Sequence, residues 1–115
     1  MIDAALMCMA LTIAHEAGGE PVNGQVAVGY VLYRRAEFDP KNICHETYRP
    51  YQFEWTVKPK KYDMQHLRPY LDLAQKILNR KVKDTSKGST HFHSIALPNQ
   101  WGKPIKVVIN NHIFY

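Results

Sequence analysis

The first twenty-one residues constrain the fold most. Residues 4–14 are apolar on every side of a helix except at Thr12, the pattern of a helix packed inside a core and not of one lying on a surface. Asp3 can cap its first turn, and Gly18 and Gly19 offer the left-handed conformations that end helices without steric penalty. A carboxylate, Glu16, then falls in the last turn of a buried helix. The macrodipole is negative at that end, and partial desolvation adds to the cost of ionisation, so the Glu16 pKa is expected to rise. A carboxylic acid protonated near neutral pH suits cleavage of a glycosidic bond, because the leaving oxygen takes up a proton as the bond breaks. The same position is also compatible with a plain helix end that points into water.

A chain of 115 residues, 45% hydrophobic, can bury one core and is too short for two, so residues 1–115 are expected to form a single domain. Lys and Arg number 15 against 10 Asp and Glu, a formal charge of +5, which favours an anionic partner: nucleic acid, acidic lipid or bacterial cell wall. The basic clusters Lys58-Pro59-Lys60-Lys61 and Arg80-Lys81-Val82-Lys83 match no nucleic-acid-binding motif and read as a solvated face, so no nucleic-acid partner is expected. No stretch reaches the ~20 apolar residues that span a bilayer. Asp3 stands where a signal peptide carries positive charge, and no cleavage site follows in good context. The N-terminus therefore reads as structure, and the chain is expected to reach any extracellular target by another route. Two cysteines, Cys8 and Cys44, are too few for a disulfide framework and say little about redox compartment. Cys8, inside the apolar helix, is expected to behave as a small hydrophobe.

After Pro21, Asn23 can cap a second helix over 24–36, with Val26, Ala27, Val28, Val31 and Leu32 buried and Arg34-Arg35 complementing the dipole of its last turn. Residues 38–42 read as a turn and 43–48 as a short helix ended by Arg49-Pro50. The segment Tyr51-Gln52-Phe53-Glu54-Trp55-Thr56 is dense in aromatics without helical spacing, and so is either a core plug or a platform for sugar rings. A polar loop over 58–63 precedes a long helix from Met64 or Pro69 to Val82, with Leu71, Leu73, Ala74, Ile77, Leu78 and Val82 as its buried stripe. Residues 84–88 read as a loop. Residues 89–94 alternate as a strand with His91 and His93 on one face, and 95–104 form a loop carrying Trp101. Residues 105–109 and 112–115 flank Asn110-Asn111, a pair suited to a tight hairpin turn.

Two chemistries compete for these residues. In one, His91 and His93, with His112, His15 or His45 as a third ligand, hold zinc in an amidase or peptidase site. The spacing permits this without specifying it, and no His-Glu-x-x-His helix is present. In the other, Glu16 acts as a single acid walled by the aromatic segment and the histidine strand. A direct glycosidase needs a second carboxylate ~5 Å away for retention or ~6.5–9.5 Å for inversion. Glu20 is nearest in sequence, but two glycines separate it from Glu16, and its expected role is to hold backbone groups or a cleft residue in place. One acid suffices where the substrate supplies its own nucleophile.

The blocks His15-Glu16-Ala17-Gly18-Gly19-Glu20-Pro21, Gly24-Gln25-Val26-Ala27-Val28, Tyr51-Gln52-Phe53-Glu54-Trp55-Thr56, Thr90-His91-Phe92-His93 with Trp101, and Asn111-His112-Ile113-Phe114-Tyr115 resemble, in order, those of the SleB-type cell-wall hydrolases. This spore-cortex-lytic family also has phage-encoded members. The resemblance implies a helix-rich, lysozyme-like α+β domain with a small antiparallel sheet in its C-terminal third. Its implied action is on peptidoglycan glycan strands, with no metal or other cofactor. The first glutamate of the family's Gly-Glu-Ala-Arg-Gly-Glu block, general acid and base, falls on Glu16. Family members are similar to lytic transglycosylases: the acid protonates the bond between N-acetylmuramic acid and N-acetylglucosamine, and the muramic C6 hydroxyl closes a 1,6-anhydro ring. Two positions depart from the pattern. His15 stands where the family usually has glycine, and Gly18 where it usually has arginine.

The residues carried over as substrate-binding are Glu20, Gln52, Phe53, Trp55, Thr90, His91, His93 and Tyr115, with Phe53, Phe92 and Phe114 equally suited to the core. A monomer is expected, released to the wall by a route such as phage lysis or a virion.

Overall fold

A computed structural model describes residues 2–50, 52–99 and 101–115; Tyr51 of the aromatic segment and Gln100 of the 95–104 loop lie outside them. Asp3 accepts a hydrogen bond from the Leu6 amide at 2.9 Å and starts helix α1, Ala4–Ala17. Met9, Ala10, Thr12 and Ile13 are fully buried. The one polar member is satisfied within the helix, its hydroxyl donating to the Cys8 carbonyl at 2.8 Å, as a buried polar group must be.

The end of α1 differs from expectation. Gly18 caps it with right-handed angles, φ −60° and ψ −30°, so no left-handed glycine stops the helix. Pro21 has no N–H to offer the Ala17 carbonyl, which accepts from the Glu20 amide at 3.0 Å instead, and a proline disfavours helical angles in the residue before it. Gly18 answers to crowding, since a Cβ there would come within 2.5 Å of the Ala14 carbonyl oxygen.

Helix α2, Val22–Arg35, begins two residues before the expected start, with Pro21 and not Asn23 at its N-cap. The Pro21 carbonyl accepts from the Gly24 and Gln25 amides at 2.9 and 3.1 Å. The preset φ of proline replaces a side-chain cap. At Gly29 a Cβ would sit 2.5 Å from Ile77 Cδ1 and 3.2 Å from Ile13 Cδ1, so glycine there lets three helices close on one point.

A short 3-10 turn, Pro40–Asn42, leads into α3, Ile43–Thr47. α3 packs on α1 with Cys44 beside Cys8, and the two form a disulfide with Cα atoms 5.4 Å apart. Cys8 is therefore half of a covalent link and not a free thiol.

Helix α4, Met64–Leu78, is capped by Asp63, which accepts from the His66 amide at 2.8 Å. It stops four residues short of Val82. Arg80 turns left-handed at φ 55°, and the Lys81 amide donates back to the Lys76 carbonyl at 2.8 Å. The Arg80 guanidinium then lies 4.2 Å above the Phe38 ring, a cation–π contact that no local propensity encodes.

Strands β1, Phe92–Ser94, β2, Val107–Ile109, and β3, His112–Phe114, form an antiparallel sheet in the order β1-β3-β2. All three are shorter than the sequence pattern indicates. Phe114 pairs with Phe92 on one side and Val107 on the other, and is fully buried with Ala17, Ala27, Val28 and Val31, which fixes the sheet against α1 and α2. The β2–β3 turn uses Asn110 at φ 48°, the conformation that a tight hairpin asks of asparagine. Helix-rich α+β architecture with its sheet in the C-terminal part is thus the observed class. Among the described residues no helix is long and apolar enough to cross a membrane.

Candidate active site

Glu16, half-buried in the last turn of α1, stands where two cavities meet. One, of about 490 Å³, is lined by His15, Glu16, Gly18, Gly19, Glu20, Lys60, Tyr62, Tyr70, Ser94, Asn111 and His112 with Ala14 and Ala17. The other, of about 270 Å³, is lined by Glu16, Val31, Arg35, Gln52, Phe53, His91, Phe92 and Trp101. Burial, assisted by the nearby negative charge of Glu54, pushes the Glu16 carboxyl up to about 7. Among the described residues no protein group hydrogen-bonds it. An acid half-protonated at neutral pH, uncommitted to any partner and open to cavities on both sides can give a proton to a chain lying across it and take one back.

Glu20 lines the first cavity, yet its oxygens are occupied. They accept from the Asn111 amide at 3.0 Å, the Asn110 side chain at 3.0 Å and the Asn111 side chain at 3.1 Å. His112 Nδ1 lies 3.4 Å away. Burial works against ionisation, but these hydrogen bonds outweigh it and hold the carboxyl below its ordinary range. Glu20 thus fastens the β2–β3 turn to the end of α1.

In the second cavity one buried carboxylate organises the wall. Glu46 on α3 is 4% exposed, and its Oε1 accepts from Arg35 Nε at 3.1 Å and Gln52 Nε2 at 3.4 Å, with Arg49 Nη1 also at 3.4 Å. Arg35 donates as well to the Thr90 carbonyl at 3.3 Å, tying α2 to the approach of β1. His91 lies on that approach. Burial, with the charges of Lys103 and Arg35, keeps its imidazole below the usual range.

The remaining expected site residues surround these walls. Thr90 Oγ1 meets His91 Nδ1 at 2.8 Å. His93 Nε2 meets the Tyr115 hydroxyl at 2.7 Å, and Trp101 packs against His91, His93 and Tyr115 at 5.0 to 5.3 Å between ring centroids. Trp55 stacks on His15, 4.2 Å away and nearly parallel, and lines neither cavity. The structure therefore brings Glu16, Gln52, Phe53 and His91 to one cavity and Glu16 and Glu20 to the other. Trp55, Thr90, His93 and Tyr115 line neither and touch residues that do: Trp55 meets His15, Thr90 meets His91, and His93 and Tyr115 meet Trp101.

The histidines considered for zinc do not converge: among the described residues no group of three His, Cys, Asp or Glu side chains is placed to share an ion. Both nitrogens of His15 are engaged, with the Leu11 carbonyl at 2.8 Å and the Lys60 amide at 3.0 Å. His93 uses both of its own on the Ser94 carbonyl and Tyr115.

The pattern of the Cell Wall Hydrolase family matches residues 19–115. The chain belongs to the cell wall hydrolase family. The match begins three residues beyond Glu16 and does not include it. The fold is similar to the crystal structure of the catalytic domain of the Bacillus cereus SleB protein, with a TM-score of 0.75 at 20% identity over 96% of this chain and 88% of that one. No curated protein sequence matches.

Several residues of this hydrolase that line the two cavities or, like Glu54, act on Glu16 through their charge were not legible as such. Arg35 reads from sequence as a dipole-compensating helix end, and Glu54 as one member of an aromatic segment. Lys60 and Tyr62 come from a polar loop, and Tyr70 from α4, where it packs partly buried against the core and its hydroxyl donates to the Gly18 carbonyl at 3.2 Å. Their common signal is spatial, since segments far apart in the chain bring them to Glu16.

Proposed function

We propose that this hydrolase cleaves peptidoglycan glycan strands between N-acetylmuramic acid and N-acetylglucosamine as a lytic transglycosylase, with Glu16 as general acid and then general base. The observation that carries this reading is the junction of two cavities at Glu16. A polymer cut in mid-chain needs sugar sites on both sides of the acid, and an elongated cleft supplies them.

In the proposed reaction the Glu16 carboxyl gives its proton to the leaving glycosidic oxygen as the C1–O bond breaks. The muramic C6 hydroxyl then attacks C1, and its proton returns to the Glu16 carboxylate. The product carries a 1,6-anhydro ring and no water is consumed. Glu20, the other carboxylate among the described residues lining these two cavities, is held by the hairpin, which leaves it poorly placed to activate water. Gln52, Phe53, His91 and Trp101 are proposed to bind sugar on one side. The side chain of Arg35 is suited to the hydroxyl or carbonyl groups of an N-acetyl sugar. The proposed place of action is the bacterial wall, outside the cytoplasm, and a Cys8–Cys44 disulfide fits oxidising surroundings.

Mass spectrometry of soluble products from purified peptidoglycan, with and without a chelator, tests the reading. Anhydromuramic ends in both samples are expected. Reducing ends would require a water nucleophile, chelator-sensitive release of peptides would favour a zinc amidase, and wall binding without products would mark a non-catalytic binding protein.

A further inference from the structure

We propose that His15 is a positioning residue that clasps the 58–63 loop onto the end of α1 and so builds the outer wall of the cavity on one side of Glu16. Its Nδ1–H donates to the Leu11 carbonyl at 2.8 Å, which fixes the ring on the helix and leaves Nε2 as an acceptor. That nitrogen receives the backbone N–H of Lys60 at 3.0 Å, forty-five residues away in sequence.

The ring faces are used as well. One stacks on Trp55 at 4.2 Å with the planes 9° apart, and Tyr62 makes a T-shaped contact with His15 at 5.0 Å between ring centroids. The Tyr62 hydroxyl donates to the Ala14 carbonyl at 3.4 Å. A single side chain next to Glu16 therefore joins three segments: α1, the turn at Glu54–Thr56 and the 58–63 loop.

Between Val57 and Tyr62 the Lys60–His15 bond is the one hydrogen bond the loop makes among the described residues. Lys58, Pro59, Lys60 and Lys61 are exposed and belong to no helix or strand, and such a segment samples many conformations unless tied down. Lys60 and Tyr62 nonetheless line the first cavity together with Glu20 and Asn111. Holding them there preorganises one side of the cleft, so that a bound strand need not order the loop itself. The consequence is specific: the clasp acts on substrate affinity on this side of the acid, while Glu16 stays held by α1.

This inference rests on the proposed glycan-cleaving function for its kinetic consequence only. Hydrogen exchange of the Lys60 amide is compared in the wild type, His15→Phe, which keeps an aromatic stack but removes the acceptor, and Lys60→Ala, which keeps the amide. Protection of the residue-60 amide is expected in the wild type and Lys60→Ala, with exchange about three- to tenfold faster in His15→Phe, the range for one lost hydrogen bond. On soluble uncrosslinked peptidoglycan strands, KM is expected to rise about three- to tenfold in His15→Phe and in Lys60→Pro, which deletes the N–H, with a smaller change in kcat. The double variant should be no worse than either single one.

Equal exchange in the wild type and His15→Phe, or a fall in kcat with KM unmoved, would overturn the proposal. The exchange arm needs no substrate. A wrong functional reading gives reducing ends, peptides or no products from every protein, the wild type included, whereas a wrong clasp leaves the residue-60 amide exchanging equally fast in the wild type and His15→Phe.

Discussion

Glu16 combines the proton-transfer role proposed above with a titration that reaches into folding. Its carboxyl is pushed up to about 7 by burial and then by Glu54, whereas in the unfolded chain it ionises near its ordinary value of 4.5. Above pH 4.5 the unfolded state has released a proton that the native state still holds, so stability declines as pH rises from there through about 7. Glu16→Gln is therefore expected to leave the melting temperature unchanged at pH 4 and raise it at pH 8, by calorimetry, while cutting turnover about 10²–10⁴-fold, the usual range for a lost general acid. Unchanged melting at pH 8 would mean that the acid is not held protonated by its surroundings. Activity should fall as pH rises past about 7, and Glu54→Gln, by removing a negative charge, should move that alkaline limb to lower pH. The Glu16 position is legible in sequence because an apolar helix and a dipole end are local features. Glu54 is not, because its influence arises from a turn that tertiary packing brings alongside.

Two contacts between elements fix the cleft. Glu20 joins the end of α1 to the β2–β3 hairpin, and its depressed pKa gives the reverse sign to Glu16: stabilisation is present above pH 4.5 and lost as pH falls through the lower native value. Glu20→Gln is expected to speed exchange of the Asn111 amide while reducing turnover less than Glu16→Gln does. Glu46 joins α3 to Arg35, Arg49 and Gln52. Glu46→Gln should cost about 1–3 kcal/mol in urea unfolding, because it removes the charge on which partly buried donors converge; a loss under ~0.5 kcal/mol would show that water satisfies those donors equally well. The hairpin turn itself is visible in Asn110-Asn111, as local backbone preference. Its carboxylate anchor, 91 residues away, has no local signature.

Across the whole molecule, the Cys8–Cys44 bond closes a loop with a sequence separation of 36, which the chain-entropy description values at about 4 kcal/mol. The double variant Cys8→Ser, Cys44→Ser should lower the urea midpoint by a matching amount, and reductant should have no further effect on it. Equal midpoints for the variant and the oxidised wild type would show that helix packing alone closes this loop. By itself the sequence determined the buried first helix, the amphipathic α4, the asparagine turn and an acid at a helix end, because each is written in the spacing and conformational preference of residues close in the chain. Only the tertiary structure decided that Cys8 meets Cys44, that α4 ends where Arg80 reaches Phe38, and that Glu20 is committed to the hairpin. It also decided that Glu16 lies between two cavities walled by residues from five or more segments. Those outcomes depend on which distant groups become neighbours, and burial, pairing and pKa follow from that neighbourhood, which residue order alone does not specify.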